Sequence, residues 1–284
     1  MRIFLTGGTG YFGQRLVADL LGAGHAVTAL VRSRTRGLPL ETLGADLVTG
    51  DVTDFDSAGV DLASFDAFIH SAALVKTRVS DPSEFDRVNV DGVTNVARAC
   101  IHARVPRFIY TSSFIALGPS EPGQPLDERD SHELGHFHND YERTKYRGLL
   151  EFDVWLSRGL PGIALFPCVI FGPGTLTSGN LTAAIIADLI LGRLPGILGD
   201  GKGVWTYSFV EDVVEGHIQA LSKARPGDRY ILGGDSLNME SFIALVAQIA
   251  SVPAPSRHIP YWLAKVAAVA EESLASLQRR EPKL

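Results

Sequence analysis

The chain has little cysteine: two residues, Cys100 and Cys168, among 284. Two thiols cannot build a disulfide framework and suit a reducing cytoplasm. An excess of positive charge is also missing. Lys and Arg number 26 against 32 Asp and Glu, a net charge of −6 with a pI near 5.7. No basic face for a phosphodiester backbone is implied, so nucleic acid is not an expected partner. Long apolar runs are absent as well. The longest, around 181–198, is interrupted by Asp188, Arg193 and Pro195 and reads as a buried helix and turn, with no membrane span. The start of the chain, Met1 to Gly7, enters structured sequence without the apolar stretch and cleavage site of a signal peptide. Low-complexity linkers and internal repeats are not found. What is present is a globular composition: 45% hydrophobic, 20% charged, mean hydropathy +0.12. Such a chain is expected to bury a core of ordinary size, in one large domain or two small ones.

Short apolar, β-branched or aromatic runs alternate with helical periods. Arg2–Thr6, Ala26–Val31, Asp46–Thr49, Ala67–His70, Arg107–Thr111 and Gly162–Pro167 have strand length. Gln14–Leu21 and Pro82–Ala103 read as helices; in the second, Asp81 can cap, Pro82 takes the first position, and Phe85, Val88, Val96 and Cys100 mark one face. Strands apolar on both faces, joined by crossover helices, imply an α/β fold with a covered parallel sheet. Beyond Pro167 a strand is expected at Val204–Val210, a helix at Glu211–Lys223, a strand at Asp228–Leu232 and helices at Met239–Ala250 and Tyr261–Leu277. The expected organisation is a Rossmann doubly wound sheet in 1–167, with 208–232 returning to it. A smaller interleaved α+β substrate region would span 168–207 and 233–284, closing over the C-terminal edge of the sheet.

Directly after the first strand comes Thr6-Gly7-Gly8-Thr9-Gly10-Tyr11-Phe12-Gly13, which holds G-x-G-x-x-G at Gly8, Gly10 and Gly13. Glycines so spaced between a strand and a helix make a tight turn and let the backbone approach a pyrophosphate at the helix N-terminus. Where a NAD-type site places an acid after the second strand, Arg32, Arg34 and Arg36 stand instead. Arginine pairs a 2′-phosphate bidentately, which favours NADP over NAD; the alternative is a solvated basic loop. Asp51, after the third strand, could accept from the adenine amino group.

Downstream, Tyr141-Glu142-Arg143-Thr144-Lys145 puts a phenol and an ammonium on one helix face. A cation beside the phenol would favour phenolate and make the tyrosine a better acid/base near neutrality. In chain order the glycines, Thr111-Ser112-Ser113 and Tyr141/Lys145 resemble the extended short-chain dehydrogenase/reductase family, of the NAD-dependent epimerase/dehydratase type. His70-Ser71-Ala72-Ala73, Asn89-Val90-Asp91-Gly92, Pro167–Gly174 and Phe209-Val210-Glu211-Asp212 look like further family motifs, so the resemblance spans nearly the whole chain. It implies that Tyr141 exchanges a proton with the substrate oxygen, that Ser113 hydrogen-bonds that oxygen, and that Lys145 holds the nicotinamide ribose and tunes Tyr141. It also implies cofactor contacts at Gly7, Gly8, Gly10, Tyr11, Phe12, Gly13, Arg32, Asp51, Val52, Ser71, Ala72, Ala73, Asn89, Pro167 and Val169, besides Tyr141 and Lys145. The helices 82–103 and 141–156 resemble those that pair in family homodimers, though burial inside the monomer is equally compatible. Relatives usually continue past Glu281–Leu284, so a truncated or incompletely ordered C-terminus is expected.

A competing pattern, His132-Glu133-Leu134-Gly135-His136, reads H-E-x-x-H, with His138 and Asp140 close by. A zinc protease needs both histidines on one helix face. Here a hydrophilic loop leads in and Gly135 weakens the helix, so the segment reads as a polar loop on the substrate side and no metal is expected. For the substrate, Phe114-Ile115 follows Ser113 where sugar-nucleotide dehydratases carry Asp-Glu. Trp205 stands where related epimerases carry an arginine for the diphosphate. Phe114, Leu176, Trp205 and Tyr207 suggest an apolar or aromatic lining, though any of them could equally be plain core, with His138 at the entrance. The pattern, including Arg229–Gly234, looks most like the dihydroflavonol-reductase-like branch, which also holds hopanoid-associated sugar epimerases. It implies a carbonyl reductase or alcohol dehydrogenase for a bulky, largely apolar small molecule. A sugar epimerase with retained cofactor and a non-catalytic dinucleotide sensor are the alternatives.

Overall fold

The computed structural model describes residues 1–76, 79–121, 123–132, 136–175 and 180–266. The chain begins β1 (Arg2–Thr6), α1 (Tyr11–Gly22), β2 (Ala26–Val31), α2 (Arg34–Leu43), β3 (Asp46–Thr49) and β4 (Ala67–His70). It continues α3 (Ser83–Asp86), α4 (Gly92–His102), β5 (Phe108–Thr111), α5 (Asp140–Ser157), β6 (Gly162–Pro167) and β7 (Val169–Phe171). Then come α6 (Leu181–Ile190), β8 (Ile197–Leu198), β9 (Val204–Phe209), α7 (Val210–Lys223), β10 (Arg229–Leu232), β11 (Ser236–Asn238), α8 (Met239–Ala250) and β12 (His258–Ile259). Packing divides the chain into two units, Met1–Asn180 with Ser208–Gly234, and Leu181–Tyr207 with the chain from Asp235 onward.

In the first unit seven strands form one sheet in the order β3-β2-β1-β4-β5-β6-β10, every neighbouring pair parallel. The pleat explains why these strands are apolar throughout. Ile3, Leu5, Ile69, Ile109, Ile163 and Leu165 pack on one face against Leu16, Val17 and Leu20 of α1 and Val214 and Leu221 of α7. Phe4, Phe68, Phe108 and Phe166 point to the other face, against Val93, Val96 and Cys100 of α4 and Leu149 and Phe152 of α5. Both faces being covered, no polar alternation survives. The strand order reverses between β1 and β4, which pair in register with Thr6 opposite His70. A doubly wound Rossmann fold opens its ligand crevice at the C-terminal ends of such strands.

Several expectations need correction. The segment 32–36, weighed as a loop, leads into α2, whose internal Pro39 hides the helix in the sequence. The helix expected over Pro82–Ala103 contains a π-helical turn at Arg87–Asp91 between α3 and α4. Helix α1 starts at Tyr11, inside the glycine motif, so its first turn carries little apolar periodicity. In the second unit, β9 pairs antiparallel with β11, β8 pairs parallel with β12, and α8 buries Phe242, Ile243 and Ala247. The α6 segment, expected as a buried helix, buries Thr182 and Leu189 while Leu181 and Ile190 stay exposed. Apolar residues all round a helix do not tell which side is covered. Of the helix expected over Tyr261–Leu277, residues 261–266 are helical and the rest lies outside the described residues.

Candidate active site

The glycine loop is locked to the loop after β4. Ser71 Oγ donates to the Thr6 carbonyl at 2.7 Å, and the Ala72 N–H donates to Thr6 Oγ1 at 3.3 Å. Thr6 Oγ1 also meets His70 Nδ1 at 2.8 Å, both side chains buried. Gly7 has φ +83°, which favours glycine, and a Cβ there would lie 2.6 Å from the Ala72 nitrogen. A Cβ on Gly13 would lie 2.1 Å from the Gly7 carbonyl oxygen. Helix α1 is capped by Gly10, which offers no side-chain acceptor, and its first turn has no acid. Its leading N–H groups and dipole therefore suit an anion, and the absent side chains leave the backbone free to approach it.

Helix α5 carries the tyrosine and lysine. Asn139 caps it, its Oδ1 accepting from the Glu142 N–H at 2.8 Å. Lys145 is buried, and its Nζ donates to the Thr111 carbonyl at 3.2 Å and lies 5.9 Å from the centre of the Tyr110 ring. Burial lowers its pKa to about 8. Tyr141 is half-buried, with the Ser113 side chain close enough to influence its ionisation. The Ser113 oxygen accepts from the Ile115 N–H at 3.4 Å. The phenol pKa is raised by burial, with the Ser113 contact opposing the rise. The net direction at Tyr141 is upward because desolvation of the phenol is the largest influence on it.

The other expected positions fall as follows. Gly8 packs against Leu5 and Leu40 side chains. Tyr11 donates to the Gly172 carbonyl at 2.9 Å, and Phe12 packs on His217 with centroids 4.7 Å apart. Arg32 is exposed just beyond β2, whereas Arg34 pairs with Glu41. Asp51 Oδ1 accepts from the Thr53 N–H and hydroxyl at 2.9 and 3.0 Å, and Val52 is buried. Asn89 is buried; its amide bridges both polar groups of Leu74 to Thr144 Oγ1. Ala73 and Val169 are half-buried, and Pro167 is buried at the end of β6. Phe114 is half-buried at the start of a short 3-10 turn, and the exposed His138 gives its backbone N–H to Glu142. In the second unit Trp205 is 42% exposed, while Tyr207 is buried with its ring stacked on Phe242 at 4.3 Å. Leu176 lies outside the described residues.

Glu133, Leu134 and Gly135 of the H-E-x-x-H pattern also lie outside them. The described His132 is buried, its Nε2 3.2 Å from the Glu142 carboxylate. Among the described residues no group of three His, Cys, Asp or Glu side chains is placed to hold a metal. Nor is any described helix long and apolar enough to cross a membrane. Sequence reasoning named Thr111 only as part of a motif, and missed both His217 and the pairing of the two, whose Oγ1 and Nε2 are 2.9 Å apart. The sequence carries no signal for a pair separated by 106 positions.

A Rossmann sheet, a side-chain-free glycine loop and a serine–tyrosine–lysine group define a class of dinucleotide-fold enzymes. The chain belongs to the NAD dependent epimerase/dehydratase family, whose model matches residues 3–233. It is 30% identical to a dihydroflavonol 4-reductase-like protein of Synechocystis sp., over 98% of this chain and 81% of the relative. It is 31% identical to a 4-hydroxy-2-methyl-3-oxo-4-farnesyl-3,4-dihydroquinoline-1-oxide ketoreductase of Stigmatella aurantiaca, over 96% of this chain and 80% of that one. Among solved structures, the UDP-glucose 4-epimerase of Thermus thermophilus in complex with NAD superposes with a TM-score of 0.77 at 26% identity. That match covers 92% of this chain and 86% of the epimerase.

Proposed function

We propose that this enzyme is an NADP-dependent carbonyl reductase, reversibly an alcohol dehydrogenase, acting on a bulky and largely apolar small molecule. The observation that carries the reading is the buried Ser113 side chain beside the half-buried Tyr141, with the Lys145 ammonium buried one helical turn away. The nicotinamide, when bound, supplies or accepts the hydride. The Ser113 hydroxyl orients the substrate oxygen and the Tyr141 hydroxyl gives it a proton or takes one back. Lys145 holds the ribose hydroxyls, and the α1 N–H groups take the pyrophosphate, to which the glycine cradle is suited. Arg32, exposed after β2, would pair a 2′-phosphate while Arg34 is engaged by Glu41. The relatives named as reductases support reduction of a ketone, and Trp205, which cannot pair a diphosphate, weighs the same way.

The second reading is a sugar-nucleotide epimerase, favoured by a UDP-glucose 4-epimerase of Mycolicibacterium smegmatis at 28% identity. There the hydride would return within one turnover, with no net NADPH consumption. Fluorescence titration with NADPH and NADH, followed by a panel of aldehydes and ketones, separates the two. Tyr141→Phe should keep cofactor binding and lose about 100-fold or more of turnover. An undiminished rate removes Tyr141 from the mechanism, and failure of both dinucleotides to bind at micromolar concentration ends the cofactor reading.

A further inference from the structure

We propose that His217 is a positioning residue: through Thr111 it fixes the carbonyl against which the Lys145 ammonium is held. The inference rests on the reading of Lys145 as the ribose-holding group.

Two hydrogen bonds settle the tautomer of His217. The ring is fully buried on α7, and its Nδ1 lies 2.8 Å from the Val213 carbonyl, which can only accept. The proton therefore sits on Nδ1, and Nε2 presents a lone pair. Thr111 Oγ1, 2.9 Å from Nε2, must donate. Burial keeps the imidazole neutral, with its pKa lowered to about 4, so the acceptor persists across the neutral range. The pleat of β5 places the contact: Ile109 packs with α7, and Thr111, two residues on, turns its side chain to the same side. The Thr111 carbonyl meets Lys145 Nζ at 3.2 Å. His217 thus clamps the last residue of β5 from one side of the sheet while the lysine is held from the other. Phe12, at the start of α1, packs on the same imidazole at 4.7 Å, so the ring also buttresses the glycine-loop helix.

The groups facing Lys145 give it no compensating negative charge. From β4 comes His70, kept neutral by burial; from β5, the Tyr110 ring, whose hydroxyl pKa burial raises; from its own helix, Tyr141. Among the described residues no carboxylate forms an ion pair with it. A buried ammonium so placed depends on its carbonyl acceptor, and displacement of that carbonyl should be felt directly in its protonation and in its contact with the ribose.

The test reads the lysine itself. The chain has six lysines, so lysine-selective carbon-13 labelling gives few Cε signals, and Lys145→Arg assigns the one of interest. Four variants are compared with the parent in the ligand-free protein: His217→Leu, Thr111→Val, His217→Gln and Thr111→Ser. The first two remove the acceptor or the donor, and the last two keep one. Thr111→Val is isosteric and carries the test should His217→Leu fail to fold. In His217→Leu and Thr111→Val the Lys145 midpoint should fall by about half a pH unit or more, since the ammonium loses its acceptor. NADPH should bind roughly five-fold more weakly to these two, and the Gln and Ser variants should stay close to the parent on both counts. Folded Leu and Val variants with the parental midpoint would overturn the inference, even if they melt at a lower temperature. Should the parent itself not bind NADPH, the proposed function fails, while the lysine titration still decides the role of His217.

Discussion

One methyl group separates two glycines of the same helix. A Cβ on Gly13 would meet the Gly7 carbonyl oxygen at 2.1 Å and the Gly8 Cα at 2.8 Å, both backbone atoms with no rotamer to yield. A Cβ on Gly22 would meet nothing within 4 Å, and Gly22 lies exposed at the last position of α1. Gly13→Ala should therefore cost about 1–3 kcal/mol and abolish the proposed NADPH binding, through forced movement of the loop. Gly22→Ala should be neutral or stabilise by up to about 1 kcal/mol. Denaturant melts of the two variants, with NADPH titration of each, check the pair; equal effects would show that steric closeness does not govern the loop. The glycine pattern made Gly13 visible in the sequence. His217 was not visible, because a histidine four residues after Val213 on an amphipathic helix announces neither its tautomer nor a partner on β5.

Helix α5 depends on its first turn. Asn139 Oδ1 satisfies the Glu142 N–H, and the Glu142 carboxylate in turn accepts from the His138 N–H at 2.6 Å and lies beside buried His132. This is close to a reciprocal capping arrangement, and it holds the segment before the helix against the turn that bears Tyr141. Asn139→Ala should destabilise by about 1 kcal/mol, with Asn139→Asp restoring most of the loss; a thermal melt of each variant reads it, and an unshifted midpoint for the alanine variant would discount the cap. The Tyr141/Lys145 spacing was legible because the period of a helix fixes it. The sign of the Tyr141 shift was not. It depends on how much water the fold removes from the phenol, which adjacency in sequence does not encode. The π-helical turn around Asn89 was equally hidden, although its buried amide, bridging the loop after β4 to Thr144, shows why that residue type is needed there.

Two buried neutral histidines give the whole molecule an acid-sensitive stability. Burial lowers the pKa of His70 to about 3 and that of His217 to about 4, against about 6.5 for an unfolded chain. Between those limits the unfolded state binds protons that the native state refuses, so stability is fullest above pH 6.5 and falls as pH drops toward 4. Each histidine contributes a slope of about 1.4 kcal/mol per pH unit inside its window. Asp86, held low by the Arg143 guanidinium, adds loss in the same direction at lower pH, below the ordinary carboxylate range. Lys145 acts at the other end. Its lowered pKa of about 8 means that the native state releases its proton first, so its burial penalty is relieved as pH rises from 8 toward 10.5. Urea denaturation at pH 7.5, 6 and 5 should show the acid fall; a flat profile would mean that these histidines reach solvent in the folded state.

At this scale the division between sequence and structure is clear. The sequence by itself determined the alternation of strands and helices, the parallel sheet and the glycine turn, because apolar period and glycine spacing are local properties of the chain. It also determined that Ser113, Tyr141 and Lys145 occur in an order known from related enzymes. Tertiary structure decided what surrounds them: that Ser113 is buried beside the phenol, that the Thr111 carbonyl holds the ammonium, and that His217 holds Thr111. Each of these joins residues brought together by strand order and helix packing, and the strength of each depends on exclusion of water, which exists only once the sheet is covered on both faces.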